Sequence, residues 1–257
     1  MLIDEICERL LPAAANHRVA DVRIGLGYTA VLLDNGRCGL AFTFRQESGG
    51  GCCALKEAGT LAGRSATELV VKAKALDVIA AAVGLATINA LIEPPAPVGG
   101  DVLDLVAVEK TDTVGMVGYF GPLVEPLRKT AKALHIIERR SDLERSVLPE
   151  QAAGDILPRC QIVILTATSL LNRTLDGLLD HCGNAREIVL LGPSTPLLPK
   201  VFAARGVTLL LGVEVIDPVQ AMRVISEGGG TRQLSHATRK IAVRASAVHP
   251  VVSQQHA

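Results

Sequence analysis

Tryptophan is missing from the chain, and only two tyrosines and four phenylalanines stand among 257 residues. A core of this size must then be aliphatic, and few rings are left to stack on nucleic-acid bases. Net charge is missing too: 26 Lys and Arg balance 26 Asp and Glu, so no long-range field attracts a phosphate backbone, and nucleic acid is not an expected partner. No apolar run reaches the roughly 18 to 20 residues of a membrane span, and Asp4 and Glu5 stand where a secretory leader would be basic. The expectation is a cytoplasmic protein without membrane insertion. Six cysteines (Cys7, Cys38, Cys52, Cys53, Cys160, Cys182) include no CxxC pair and are too sparse for a disulfide scaffold. Also absent are GxSxG, a Gly-Lys-Ser/Thr phosphate loop and any His pair at helical metal spacing.

What is present is aliphatic: hydrophobic residues make up 49% of the chain. The length suits two domains, and the helix-breaking run Glu93-Pro94-Pro95-Ala96-Pro97-Val98-Gly99-Gly100 places their boundary, giving 1–98 and 99–257. In the front part, Leu2, Ile3, Ile6, Leu10 and Leu11 have helical spacing. Segments 19–25, 28–34 and 38–43, with the turn Asp34-Asn35-Gly36, predict an antiparallel meander, and helices follow between 53 and 91, the last over 75–91. This is an α+β layer.

Beyond the linker, strand and helix alternate: strands at 114–117, 135–138, 161–165, 187–191 and 207–211, helices at 122–133, 175–179, 196–204 and 218–226. That alternation predicts a doubly wound parallel α/β sheet of Rossmann-like type. Ligands of such sheets sit outside the carboxyl ends of the strands, so the strand-end loops carry the functional expectation.

The first loop, Gly115-Met116-Val117-Gly118-Tyr119-Phe120-Gly121-Pro122, is spaced GxxGxxG, an imperfect dinucleotide fingerprint, with Glu138 where a ribose-binding acid would stand. Tyr119 and Phe120 put two scarce aromatics in that loop. The next, Thr166-Ala167-Thr168-Ser169-Leu170-Leu171-Asn172-Arg173-Thr174, is rich in neutral donors; Thr174 reads as the cap of the following helix and Thr166, Thr168, Ser169 and Asn172 as candidate ligand contacts. In Gly192-Pro193-Ser194-Thr195-Pro196, Gly192, Ser194 and Thr195 read as a helix cap and anion cradle together. Asp217 reads foremost as a helix cap, Glu227 and Gly229 mark a triple-glycine loop, and all three are carried as candidates. In the front part, Thr29 and a glycine-rich loop over 47–53 are candidates, the loop as a lid, with Cys52 a candidate soft metal ligand.

Taken together, the runs 117–124, 137–139, 166–175, 192–196 and 227–231, with Gly25, Thr29-Ala30-Val31, 59–62 and 84–90 in the front part, resemble the bacterial and archaeal "putative heavy-metal chelation" family. The resemblance reaches from the front part to about Lys240. It implies an enolase-N-terminal-like domain before a Rossmann-like one, a site in the cleft between them, and a role in metal handling. Arg173 and Cys53 depart from the family pattern. Two readings stay open. One is a binding protein for a small anionic metabolite, a transition metal or a metal chelate, which allows a homo-oligomer. The other is an enzyme using NAD(P) or S-adenosylmethionine.

Overall fold

A computed structural model describes residues 1–45, 47, 54–139 and 146–245. Helix α1 (Leu2–Ala14) buries Leu2, Ile3, Ile6, Cys7, Leu10 and Ala14 along one face. Strands β1 (Val19–Ile24), β2 (Tyr28–Leu33) and β3 (Cys38–Phe42) form the expected antiparallel sheet in that order. Helix α2 (Ala66–Val70) and a 3-10 turn (Val71–Lys74) lead to α3 (Val78–Leu91). The last helix starts three residues later than the spacing suggests because the Asp77 carboxylate accepts from Ile79 N (2.9 Å) and Ala80 N (2.8 Å), which fixes its first turn.

Helix α3 is apolar all round and buries nearly every residue, as a helix enclosed on all sides must. It packs so closely on β3 that a Cβ on Gly39 would lie 2.1 Å from the Ala86 carbonyl oxygen. The linker is not loose: Val98 pairs with Ala242 by a backbone bridge.

The rear part continues with α4 (Val102–Leu105), β4 (Thr113–Val117), α5 (Gly121–Thr130), β5 (Ala133–Ile137), β6 (Val147–Leu148), α6 (Ala153–Ile156), β7 (Ile162–Thr166), α7 (Leu175–Asp180) and β8 (Glu187–Leu191). It closes with α8 (Pro199–Ala203), β9 (Leu209–Val215), α9 (Pro218–Ser226), α10 (Thr231–Leu234) and β10 (Thr238–Arg244). The seven strands run in the order β10-β9-β8-β7-β4-β5-β6, parallel except for β10 against β9. From β4 the chain winds outward through β5 and β6, then returns to β7 on the other side of β4 and winds outward again. The doubly wound topology is as expected, and the order reverses between β4 and β7.

Alternate residues bury both faces of the large sheet. Val114, Met116, Ile162, Ile164, Val189 and Leu209 join α5 and α4 in one cluster, while Val163, Leu165, Leu190 and Leu210 share a continuous core with α1 and α3 of the front part. The two parts are also tied by α9, whose Ala221, Met222, Val224 and Ile225 cover Tyr28, Ala30 and Leu40 of the small sheet. A smaller bond does the same at the chain start, where Leu2 N donates to Asp176 Oδ1 at 2.9 Å.

Candidate functional site

A cavity of about 960 Å³ opens between the two parts at the carboxyl ends of the rear strands. The reversal of strand order makes the floor, because loops after β4 and β7 leave in opposite directions and part there. Gly118 permits this. Its φ is +93°, and a Cβ there would stand 2.9 Å from Thr166 Cβ on the neighbouring strand end.

Around that point the glycine loop is held from the side: Glu138, directly after β5, accepts from Tyr119 N at 3.0 Å. Glu138 therefore braces the loop from the position where a ribose-binding acid would stand. Among the described residues, the N–H groups of Phe120 and Gly121 find no protein partner, and both residues line the cavity where α5 begins. Such N–H groups are suited to an acidic ligand group.

The β7 loop supplies neutral donors. Thr166 and Thr168 share a hydroxyl hydrogen bond of 2.9 Å. Ser169 is 2% exposed and lines the cavity, and among the described residues its hydroxyl has no protein partner. Asn172 Oδ1 accepts from Thr174 Oγ1 (2.8 Å) and Thr174 N (3.3 Å), closing a turn around Arg173. That closure explains the left-handed φ of +62° at Arg173, a conformation disfavoured for a side chain with a Cβ. Arg173 does not line the cavity, and its Nε is buried without a partner. Thr174 precedes α7 without capping it through its side chain.

From the fourth strand, Gly192 and Ser194 line the cavity but Thr195 does not. The expected helix cap is absent there: α8 starts at Pro199, and Thr195 Oγ1 donates to the carbonyls of Gly192 (2.7 Å) and Leu211 (2.9 Å). Ser194 Oγ accepts from Phe42 N at 2.8 Å, so this loop clasps the small sheet. Gly229 reaches the cavity, whereas Asp217 and Glu227 are outside its lining. Asp217 acts as the helix cap, accepting from Gln220 N at 2.9 Å. Thr29 is fully buried and outside the lining, behind Thr43, a lining residue with which it shares a 2.9 Å hydrogen bond. Cys52 and Cys53, with most of the proposed lid, lie outside the described residues.

Sequence reasoning missed most of the other wall. Tyr28, Phe42, Thr43, Phe44 and Arg45 of the front part line the cavity beside Glu47, the first residue of the candidate loop, and so do Arg139, Glu150, Asp101 and Lys240. Arg139 is paired with Glu47 (2.9 Å) and Glu150 (3.4 Å), bridging the two parts, and Lys240 is paired with Asp101. The one available signal was the aromatics: five of the six in the chain line this cavity, and the sixth, Phe202, is fully buried elsewhere.

A doubly wound sheet with its cavity at the strand-order reversal, closed by a smaller antiparallel sheet, defines a two-part α/β protein. Family models described as "putative heavy-metal chelation" match residues 7–92 and 101–244, and the chain belongs to that family. An uncharacterised protein of Methanocaldococcus jannaschii is 29% identical over 254 residues, covering 93% of this chain and 96% of that one. Two crystal structures of family members of unknown function are similar over the whole fold. The Pyrococcus horikoshii protein has 26% identity and a TM-score of 0.84 over 95% of this chain and all of its own. The Desulfitobacterium hafniense protein has 27% identity and a TM-score of 0.80 over 94% of this chain and 98% of its own.

The described side chains do not fit a bare heavy-metal ion. No three His, Cys, Asp or Glu converge among them. Cys7, Cys38, Cys160 and Cys182 are buried, and burial pushes their thiols up to about 11, 12, 11 and 12. A soft ion binds thiolate, and burial makes each of these thiols harder to deprotonate than an ordinary cysteine.

Proposed function

We propose that the chain binds a small anionic metabolite, or a metal already held in an organic chelate, in the cleft between an α+β domain (1–98) and a Rossmann-like domain (99–257). Metal handling is the role that the family's description suggests, and we read it as chelation or metal-cofactor assembly in the cytoplasm. The observation that carries the reading is the meeting, in one cavity of about 960 Å³, of loops from both sides of the strand-order reversal with N–H and hydroxyl groups that lack protein partners. Arg139 and Lys240 are paired with carboxylates, so in this reading an acidic group rests on the neutral donors. That no helix among the described residues is long and apolar enough to cross a membrane is compatible with this role.

Anaerobic purification followed by elemental analysis, mass spectrometry of released small molecules and thermal-shift screening against metals, chelates and nucleotides tests it. A co-purifying or stabilising acid or chelate is the expected result. A protein that carries nothing and is shifted by none of them would overturn it.

The strand order and the position of Glu138 favour a second reading, an enzyme with a nucleotide-type cofactor. Its weakness is that the Glu138 carboxylate already accepts from Tyr119 N. Titration with NAD, NADP and S-adenosylmethionine separates the two readings.

A further inference from the structure

We infer that the occupant of the cleft presents a flat conjugated ring to two aromatic walls, one from each part of the protein. This rests on the binding role proposed above and narrows its ligand class. The front wall is a run of edge-on rings: Tyr28 to Phe42 at 5.9 Å and Phe42 to Phe44 at 5.1 Å. The rear wall is Tyr119 and Phe120, set on the glycine loop. Among the described residues, no ring of one wall meets a ring of the other.

Four of these rings are only half-buried, in a protein that otherwise builds its interior from Ala, Leu, Val and Ile. Each of the four packs on the core with part of its surface and lines the cavity as well. Rings left partly uncovered around one cavity gain most from a third ring laid against them, through face or edge contacts and the burial of large apolar area. The cavity volume falls in the usual range for a drug-sized ligand, far beyond a hydrated ion. Among the described residues no set of metal-binding side chains converges, which agrees with a metal arriving inside the ring-bearing ligand.

Matched pairs of probes test this by calorimetry: pyridine-2,6-dicarboxylate against piperidine-2,6-dicarboxylate, and adenosine 5′-monophosphate against ribose 5-phosphate. Each pair keeps the acid and removes the flat conjugated ring, by saturating it in the first and by omitting the base in the second. The ring member of at least one pair is expected to bind about tenfold or more tightly than its saturated partner. Phe44→Leu and Phe120→Leu, taken from opposite walls and checked for fold by circular dichroism, should each erase that advantage and leave the saturated probe unchanged. Equal binding of both members overturns the ring and leaves the anion reading standing. A ring preference untouched in both folded variants also overturns it. If no probe binds, the ring inference fails, and the broader reading is decided by the co-purification experiment, which does not depend on these probes.

Discussion

The two ends of the large sheet are built from the same strands and could hardly differ more. At the amino end, charge is abundant and fully engaged. Arg186 donates to both oxygens of Asp112 at 2.7 Å and to the Ala107 carbonyl, Arg244 donates to Glu187 at 2.9 and 3.0 Å, and Thr208 donates to the same carboxylate. Gln161 completes the set by accepting from Thr113 N at 2.9 Å. At the carboxyl end, hydroxyls and glycines at positive φ stand beside paired charges, and among the described residues several donors face a cavity without a protein partner. A buried charge is tolerated only when matched, so the first end can do little but hold the fold. Unmatched donors beside open space are what a ligand needs. Stability and binding are thus placed at opposite ends of one sheet.

The largest effect that would test this division is at Asp112. Asp112→Ala strands the Arg186 guanidinium, which is 16% exposed, and should cost about 3–5 kcal/mol in urea denaturation while leaving cleft binding intact below the melting transition. A change of binding affinity comparable with the loss of stability would break the comparison. The pH dependence sharpens it. Burial alone would raise the Asp112 carboxyl, but the Arg186 hydrogen bonds, the Glu109 N–H and the Arg186 charge together hold it below its ordinary 3.8. A depressed pKa contributes stability above the unfolded value, and that contribution is lost as pH falls through the folded one. The wild-type protein should therefore weaken below about pH 4 more steeply than Asp112→Asn, as followed by acid titration of the melting temperature.

At the opposite end, Gly118→Ala should cost about 3 kcal/mol, because the new Cβ meets Thr166 Cβ at 2.9 Å and φ is +93°. It should also displace the free N–H groups of Phe120 and Gly121, and so impair both stability and binding. A stable variant with unchanged binding would show that the reversal point is not a tight junction. Ser194→Ala ranks next. It leaves Phe42 N without its acceptor, for about 2 kcal/mol, and it loosens the front aromatic wall against the rear loops. Equilibrium unfolding measures the first effect, and affinity for the ring-bearing probes measures the second.

The same contrast explains what could be read in advance. Strands β4, β7 and β8 are buried on both faces, so they appear in sequence as short continuous apolar runs and were located within a residue or two. Strand β10 was missed because Arg239 and Lys240 face outward at the sheet edge and only Ile241, Ala242 and Val243 are buried. Strand β6 is two residues long and carries no pattern. In the cleft, glycines and hydroxyls after apolar strands were visible because they are local. The Phe42–Phe44 wall was not, since it depends on how the small sheet docks through α9 and Ser194. Thr195 was misread for a related reason. A hydroxyl before proline looks like a cap, but no helix follows Pro196: Leu198 N donates back to the Pro196 carbonyl at 2.9 Å, Leu197 is buried beside Gly212, and the helix starts at Pro199.

Asp217 gives the smallest effect and the cleanest separation. It sits after β9, at the carboxyl end of the sheet, where position alone makes a carboxylate a binding candidate. Its Oδ1 instead accepts from Gln220 N at 2.9 Å and starts α9, the helix that covers the small sheet. Asp217→Ala should therefore cost about 1 kcal/mol, the usual value of a lost N-cap, with the affinity of every cleft probe unchanged. Asp217→Asn should recover most of that stability, because the amide oxygen can accept the same bond. If Asp217→Ala weakened a probe more than it weakened the fold, this carboxylate would belong to the cleft after all, and the binding end of the sheet would extend one loop beyond Gly192 and Ser194.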